Sequence, residues 1–280
     1  MSAQEGRFPF TMYRNRGEGL VVMPHSGKRN MEIAEVTEGQ VTVQIGTNFI
    51  SAGKGDFIYI PPDMMFGAES VEGVAEIRGM VFDSSILEEN MENFDSEVFY
   101  MFYVQAKNRP TVFSEGHPVH DTLKRLMQDS YDEYTDKEIC YKLPIRANIY
   151  LCMTSLLRYY CGSKDESDRM VYHNVLRLVP ILDYIDEHFK EKIYIDRMAE
   201  IIGVSADYFT KMFRDSIGKT PIDYINAMRI NHAMHLLVGT DLPMAEIADS
   251  IGFCNPNYFH KIFKQYMETS PHAYRKACRG

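Results

Sequence analysis

Between Leu20 and Phe82 apolar and polar residues alternate over short runs, the two-residue period of a strand with one buried face. The runs predict strands over Leu20–Met23, Met31–Val36, Gln40–Ile45, Asn48–Ser51, Asp56–Ile60 and Val74–Phe82. Between them lie Glu38-Gly39, Gly46-Thr47-Asn48 and Gly53-Lys54-Gly55-Asp56, where glycine and short polar side chains accept the backbone angles of a reversal. Pro61-Pro62-Asp63 ends one run abruptly. Many short strands with close turns predict a small barrel or sandwich. After about Ile86 the period lengthens. Leu123, Leu126, Met127 and Tyr131 share one face of a helix over His117–Tyr134, as do Ile149, Met153, Leu156 and Leu157 over Ile145–Tyr160. Such a pair either closes the barrel or builds a dimer interface. Cys161–Met170 has almost no apolar content and a glycine at its head, which predicts a linker. Beyond it everything reads as helix with short turns. The chain thus reads as an α+β protein of two domains, residues 1–161 and 171–280, with a linker at 162–170.

The helical part repeats itself. Ala199 matches Ala248 and Gly203 matches Gly252, both 49 residues apart. After one extra residue the offset becomes 50, and Tyr208, Phe209, Lys211, Phe213, Pro221 and Tyr224 match Tyr258, Phe259, Lys261, Phe263, Pro271 and Tyr274. Each matched type has a physical task in a helix-turn-helix. The alanines let the two helices approach, and a larger side chain would force them apart. The glycines end the first helix where positive φ is needed. Met198, Ile202, Val204, Phe209 and Met212 supply a small core. Ser205 and Asn255 are placed to cap the second helices, with Pro256 at a first helical position. A pair of helical hairpins that merely pack together is the plain alternative. The pattern recurring in register, with the same downstream Pro and Tyr, favours DNA binding.

With these residues in view the sequence resembles the AraC family of transcription regulators, over about Val175–Arg275. Arg229-Ile230-Asn231-His232-Ala233-Met234-His235-Leu236-Leu237 looks like the family's connecting helix, and Ile251-Gly252-Phe253, Tyr258–Lys264 and Ser270-Pro271 follow at family spacing. Glu268 departs from the usual Gly, and Lys211 and Lys261 depart from the commoner Arg. A lysine offers a point charge rather than a bidentate fork, so base selectivity there is softer. The expected DNA-facing residues are Ala206, Asp207, Thr210, Lys211 and Arg214 in the first unit, and Asn255, Asn257, His260, Lys261 and Lys264 in the second. Lys211 and Lys261 suit guanine edges and Asn257 an adenine, whereas Arg214 and Lys264 suit phosphates. Asp207 reads better as part of a solvated face. A connecting helix over Ile222–Val238 would be about 25 Å long, and one chain would reach two adjacent major grooves about 34 Å apart.

Composition and charge change this picture little. The chain has 280 residues, 45% hydrophobic and 25% charged, the balance of an ordinary globular protein of two domains. Its net charge of −9 weighs at first against nucleic acid. From Asn174 onward, however, 13 basic residues meet 13 acidic ones, and the remaining 17 basic and 26 acidic residues hold the whole excess. Local surface charge matters for DNA, not the total. The five cysteines form no C-x-x-C pair and read as reduced thiols in a cytoplasmic protein. No apolar run predicts a signal peptide or a membrane span.

The front domain resembles, less specifically, the cupin-type sensing domain common in the AraC family. Cupin enzymes hold a metal with a His and Glu cluster. Here His25 and Glu32 are present, but Gly27 stands at the expected second His and Phe66 where a later His would fall. The expectation is therefore no metal, no cofactor and no catalytic residue. A cupin domain with residual metal-dependent activity, fused to a DNA-binding module, is the alternative. Tyr13, Tyr59, Met64, Phe66 and Arg78 are the candidate walls of a pocket for a small organic effector, although such residues also suit plain core. The family resemblance implies double-stranded DNA and RNA polymerase as partners, a homodimer, a small-molecule effector, and activation as the commoner outcome.

Overall fold

A computed structural model of the chain describes residues 8–27, 29–88, 102, 105–109, 111–161 and 166–279. Seven strands form one antiparallel sheet that curls into a nearly closed barrel: β1 Phe10–His25, β2 Asn30–Glu38, β3 Gln40–Ile45, β4 Asn48–Gly53, β5 Phe57–Ile60, β6 Phe66–Asp83 and β7 Val112–Phe113. β6 is the spine. Its residues 76–83 pair with β2 and its residues 66–70 pair with β3, while β1 follows it from Phe82 to Phe66. The β1 register shifts between Glu18 and Leu20 and twice more before His25, and such bulges bend a strand around a barrel.

The strands expected from alternation are present, but two are longer than the pattern indicated. β1 begins ten residues before Leu20, at Phe10, and β6 begins eight residues before Val74, at Phe66. Arg14 and Arg16 face outward and pair with Glu76 and Glu38, so these strands carry charge on the exposed face. β7, a two-residue partner of β5, was not expected at all.

β2 shows how the barrel is covered on both sides. Ala34 and Val36 point into a cluster with Val41, Val43, Ile45, Phe66 and Ile77. The alternate Met31 and Ile33 point into a second cluster with Phe57, Tyr59, Met80 and Phe82. The outer cluster is closed by helices α2 (His120–Asp136) and α3 (Lys142–Cys161), which follow a short α1 (Ser85–Glu88). Leu123, Leu126, Met127, Ile149, Met153 and Leu156 are fully buried there, each contributing roughly 2 kcal/mol of transfer free energy. The helical pair thus covers the barrel.

Seven further helices follow: α4 Glu166–His188, α5 Ile195–Ile201, α6 Ala206–Ile217, α7 Pro221–Gly239, α8 Met244–Ser250, α9 Pro256–Met267 and α10 Pro271–Arg279. The expected linker at 162–170 is corrected in its second half, because α4 begins at Glu166; residues 162–165 lie outside the described residues. Polar composition alone does not distinguish a linker from the start of a helix, because Glu and Arg have good helix propensity. The long α7 belongs to both helix-turn-helix units: Ile225 enters the core of the first, and Ile230, Ala233, Met234 and Leu237 enter that of the second.

The repeat's caps recur as well. Thr220 Oγ1 accepts from Asp223 N at 3.2 Å ahead of Pro221, and Ser270 Oγ accepts from Ala273 N at 3.2 Å ahead of Pro271. The two reading helices end differently. α6 stops at Gly218 with φ 81°, whereas α9 stops at Glu268 with φ 55°. A side chain in the left-handed region costs about 1–2 kcal/mol, partly offset by the greater unfolded-state freedom of glycine. Glu268→Gly is therefore expected to raise stability by about 0.5–1 kcal/mol, read as a higher midpoint in urea unfolding. An unchanged or lower midpoint would show that the glutamate is compensated by its surroundings.

Candidate nucleic-acid interface

Each unit is built to present one helix. In the first, α5 ends at Ile201, Gly203 turns the chain with φ 68°, and Ser205 caps α6 by accepting from Tyr208 N at 3.3 Å. In the second, Gly252 turns with φ 83° and Asn255 Oδ1 accepts from Asn257 N at 2.8 Å, with Pro256 opening α9. Ala199 and Ala248 are buried where the helices cross. Phe209, Met212 and Phe213 anchor α6, and Phe259, Ile262 and Phe263 anchor α9, each in its own core.

That anchoring leaves the opposite faces outward. Asp207, Lys211 and Arg214 are exposed on α6, with Ala206 and Thr210 half-buried beside them. Asn255, Asn257, Lys261 and Lys264 are exposed on the second unit, and His260 is half-buried. Thr210 Oγ1 donates to Ala206 O at 2.8 Å, so that hydroxyl is engaged with its own helix. The oxygen of Asn255 is engaged as a cap, which leaves its amide NH2 for an outside acceptor. Tyr208 and Tyr258 were matched in the repeat but not expected at the surface. They are 51% and 46% exposed, large rings beside the basic residues. Their placement one residue before the buried Phe209 and Phe259 was the available signal. The connecting helix α7 has 19 residues and is about 28 Å long.

The barrel is docked on the two helix-turn-helix units rather than hung from them. Asn231, on α7, accepts from Met65 N at 3.1 Å and donates to Asp63 O at 2.6 Å. His235, one turn on, lies 2.6 Å from Ser26 Oγ and 3.7 Å from the Asp63 carboxylate. Gln44 donates to Gly46 O and reaches the Tyr274 hydroxyl at 3.4 Å. Met65 completes the core of the second unit. On the first unit, Gln105 Nε2 lies 3.5 Å from Ser216 O. A cleft of about 670 Å³ opens at this junction, lined among others by Asp63, Lys107, Asp186, His232 and His235. Burial pulls the His232 pKa down, as it does that of Lys107.

Of the five residues expected to wall an effector pocket, Tyr13, Met64 and Phe66 share the inner cluster, while Tyr59 and Arg78 lie elsewhere. Tyr59 is buried in the outer cluster and Phe66 in the inner one. Arg78 is held by Glu35 and by Gln128 at 2.9 Å, with its guanidinium over the Tyr131 ring. Tyr13 packs on Gly79, where an added Cβ would lie 2.0 Å from the ring. Met64 lines a smaller cavity at the barrel–helix junction, beside Asn231 and His232. The expected pocket is thus corrected to core, ion pair and junction.

His25 stands at the end of β1, with Phe66 edge-on at 5.5 Å between ring centroids. Both oxygens of the buried Glu32 are engaged, one by the Tyr13 hydroxyl and the other by His25 Nε2 at 3.2 Å. Burial and the neighbouring carboxylate raise the Tyr13 pKa well above the usual phenol range. Among the described residues no group of three or more His, Cys, Asp or Glu side chains is placed to hold a metal ion. The bond to Glu32, against the opposing effect of burial, raises the His25 pKa. A raised folded-state pKa gives stability that is full below the unfolded value of about 6.5 and is lost as pH rises through the folded value. The melting-temperature difference between the native chain and His25→Gln is expected to be largest at acid pH and to shrink above it. A pH-independent difference between the two melting curves would contradict this pairing.

Comparison with known proteins agrees with the geometry. The family described as "Helix-turn-helix domain" matches residues 198–277. An uncharacterized HTH-type transcriptional regulator of Bacillus subtilis (strain 168), YisR, is 38% identical over 93 residues, which are 33% of this chain and 32% of that protein. The melibiose operon regulatory protein of Escherichia coli (strain K12) is 32% identical over 114 residues, 41% of this chain and 38% of its own. The chain thus spans about a third of the length of such relatives. Another Bacillus subtilis regulator, YdeC, matches at 25% over 253 residues, covering 86% of this chain and 82% of its own. Among solved structures, ToxT from Vibrio cholerae shares the fold, with a TM-score of 0.54 at 13% identity, over 97% of this chain and 100% of that one.

Proposed function

This chain belongs to the AraC family of transcription regulators, and from that premise we propose that it reads two successive major grooves of double-stranded DNA with α6 and α9. The observation that carries the reading is the paired exposed faces: Lys211 and Arg214 on one helix, Lys261 and Lys264 on the other, held apart by α7. Phosphate contacts would give salt-dependent affinity and base-edge contacts the sequence preference. The test is to select bound fragments from a genomic pool. The selected duplex is then titrated against a scrambled one at several salt concentrations. Preference for the selected duplex, with affinity falling steeply with salt, supports the reading. Failure to enrich any fragment overturns it.

The barrel with α2 and α3, residues 1–161, is in this reading a cupin-like sensing and dimerisation domain, and residues 171–280 are the DNA-binding domain. The filled barrel interior favours the junction cleft as the effector's place, since about 670 Å³ lies within the usual range for small-molecule sites. Dimerisation is supported by an outward row on α3, where Leu143 and Leu151 are 65% and 50% exposed with Ala147 between them. Activation through RNA polymerase, in the cytoplasm, is what family membership implies. A catalytic barrel is disfavoured by the mutual engagement of His25, Glu32 and Tyr13. Among the described residues no helix is long and apolar enough to cross a membrane.

A further inference from the structure

The two reading helices contact DNA in a fixed relation only if both units are fixed to the helix that joins them. Each unit has its own core on α7, yet two cores on one rod leave their mutual rotation to whatever links them directly. That link is a three-way joint at the turn after α4. From the middle of α7, Arg229 donates through Nε to Phe189 O and through Nη2 to Glu191 O, both at 2.7 Å. These carbonyls belong to the segment that leads into α5 and hence into the first unit. The other side of the same guanidinium lies over the ring of Phe253, 5.4 Å from its centroid. Phe253 follows Gly252 in the turn of the second unit, directly before α9. The two turns also touch through backbone: a Cβ on Gly252 would lie 2.6 Å from Lys190 O. Phe189 stacks on His232, 4.4 Å away and nearly parallel at 12°, which pins the same turn a second time to α7.

We propose that Arg229 is the positioning residue that sets the angle between the two reading helices, and so the spacing between the two DNA half-elements that the chain accepts. The guanidinium is suited to this because its rigid planar fork meets two carbonyls at once while its flat face rests on an aromatic ring. A lysine keeps the charge but lacks the fork, so it holds one partner and leaves the angle loose. The inference rests on the DNA-binding reading above and extends it from which residues touch DNA to what holds them in register. Arg229 lies on α7, half-buried, with its guanidinium engaged by the joint, so its effect on recognition is through positioning.

The experiment uses the full chain and the duplex selected by the native protein. Two kinds of derivative duplex are made: one with a base pair inserted or removed between the half-elements, one with a single half-element scrambled. The native chain is expected to prefer its own spacing by about 30-fold or more, the scale of losing several contacts in one half-site. Arg229→Ala is expected to lower that ratio to about 3-fold, while its affinity for duplexes with one intact half-element stays within about 2-fold of native. Arg229→Lys should fall between. If Arg229→Ala weakens all duplexes equally and keeps the spacing ratio, Arg229 is a stabilising residue only and the proposal is overturned. Should Arg229→Ala not fold, Arg229→Lys decides: a native spacing ratio overturns the proposal and a reduced one supports it. Failure of the native chain to select any DNA, seen before a variant is made, strikes the DNA-binding reading itself.

Discussion

Gly252→Ala is expected to destabilise the chain by about 3 kcal/mol or more, while Gly203→Ala, at the matching turn of the first unit, costs only about 1–2 kcal/mol. Both glycines have positive φ, at 83° and 68°, so both substitutions carry the left-handed penalty of a side chain. The difference lies in the surroundings. At Gly203 an added Cβ meets nothing within 4 Å, whereas at Gly252 it lies 2.6, 2.7 and 2.8 Å from the carbonyl oxygen, carbonyl carbon and Cα of Lys190. Those atoms are backbone and cannot rotate away. Accommodating the methyl group means moving the 189–191 turn, which Arg229 holds by two hydrogen bonds and His232 by stacking. Urea unfolding of the two variants side by side tests this, each serving as the control for the other. Equal losses would mean that the two turns do not meet closely.

That contrast also separates what the sequence discloses from what it hides. The repeat was legible because its determinants are local. Alanine at the crossing, glycine at the turn, a cap and an apolar triplet lie within about twenty residues of one another, and the second copy repeats them. Thus Gly203, Gly252, Ser205 and Asn255 occupy the expected roles, and Phe209 and Phe259 the expected cores. The same local information is silent on the joint between the units. Gly203 and Gly252 look identical in sequence, but Lys190 abuts only the second.

The front domain shows the same divide. The alternation of Met31–Val36 and Gln40–Ile45 named strands correctly, because one face of each meets the inner cluster. The first half of β1 hid behind Arg14, Asn15 and Arg16, whose strand character comes from pairing with residues 76–78 far along the chain. The grouping of Tyr13, Tyr59, Met64, Phe66 and Arg78 as the walls of one pocket was only partly met, for a related reason. An aromatic and methionine-rich composition describes a packed core as well as a cavity, and only three-dimensional packing distinguishes them. The junction was out of reach altogether. Met65 reads as one more apolar residue after a proline turn, yet it fills the core of the second unit, and Asn231, 166 residues later, holds its backbone N–H.

Replacing Lys211 and Lys261 together by alanine is expected to weaken binding to the selected duplex by about 100-fold or more, since each base-edge contact contributes on the order of 1–3 kcal/mol and the two sit in separate units. Both side chains are exposed on the faces opposite Phe209 and Phe259, so their removal leaves no cavity and no buried partner. The fold should survive, and circular dichroism of the double variant should match the native chain. Direction and selectivity separate these lysines from their neighbours. Lys211→Ala and Lys261→Ala should each relax the preference for one base pair, with little change at the other half-element. Arg214→Ala and Lys264→Ala should weaken selected and scrambled duplexes alike and reduce the salt dependence of binding by about one unit each. If the lysines behave like Arg214 and Lys264, the base-reading role passes to other exposed groups on these helices. Tyr208, Tyr258, Asn257 and the Asn255 amide are then among the exposed groups on the same faces that can carry it.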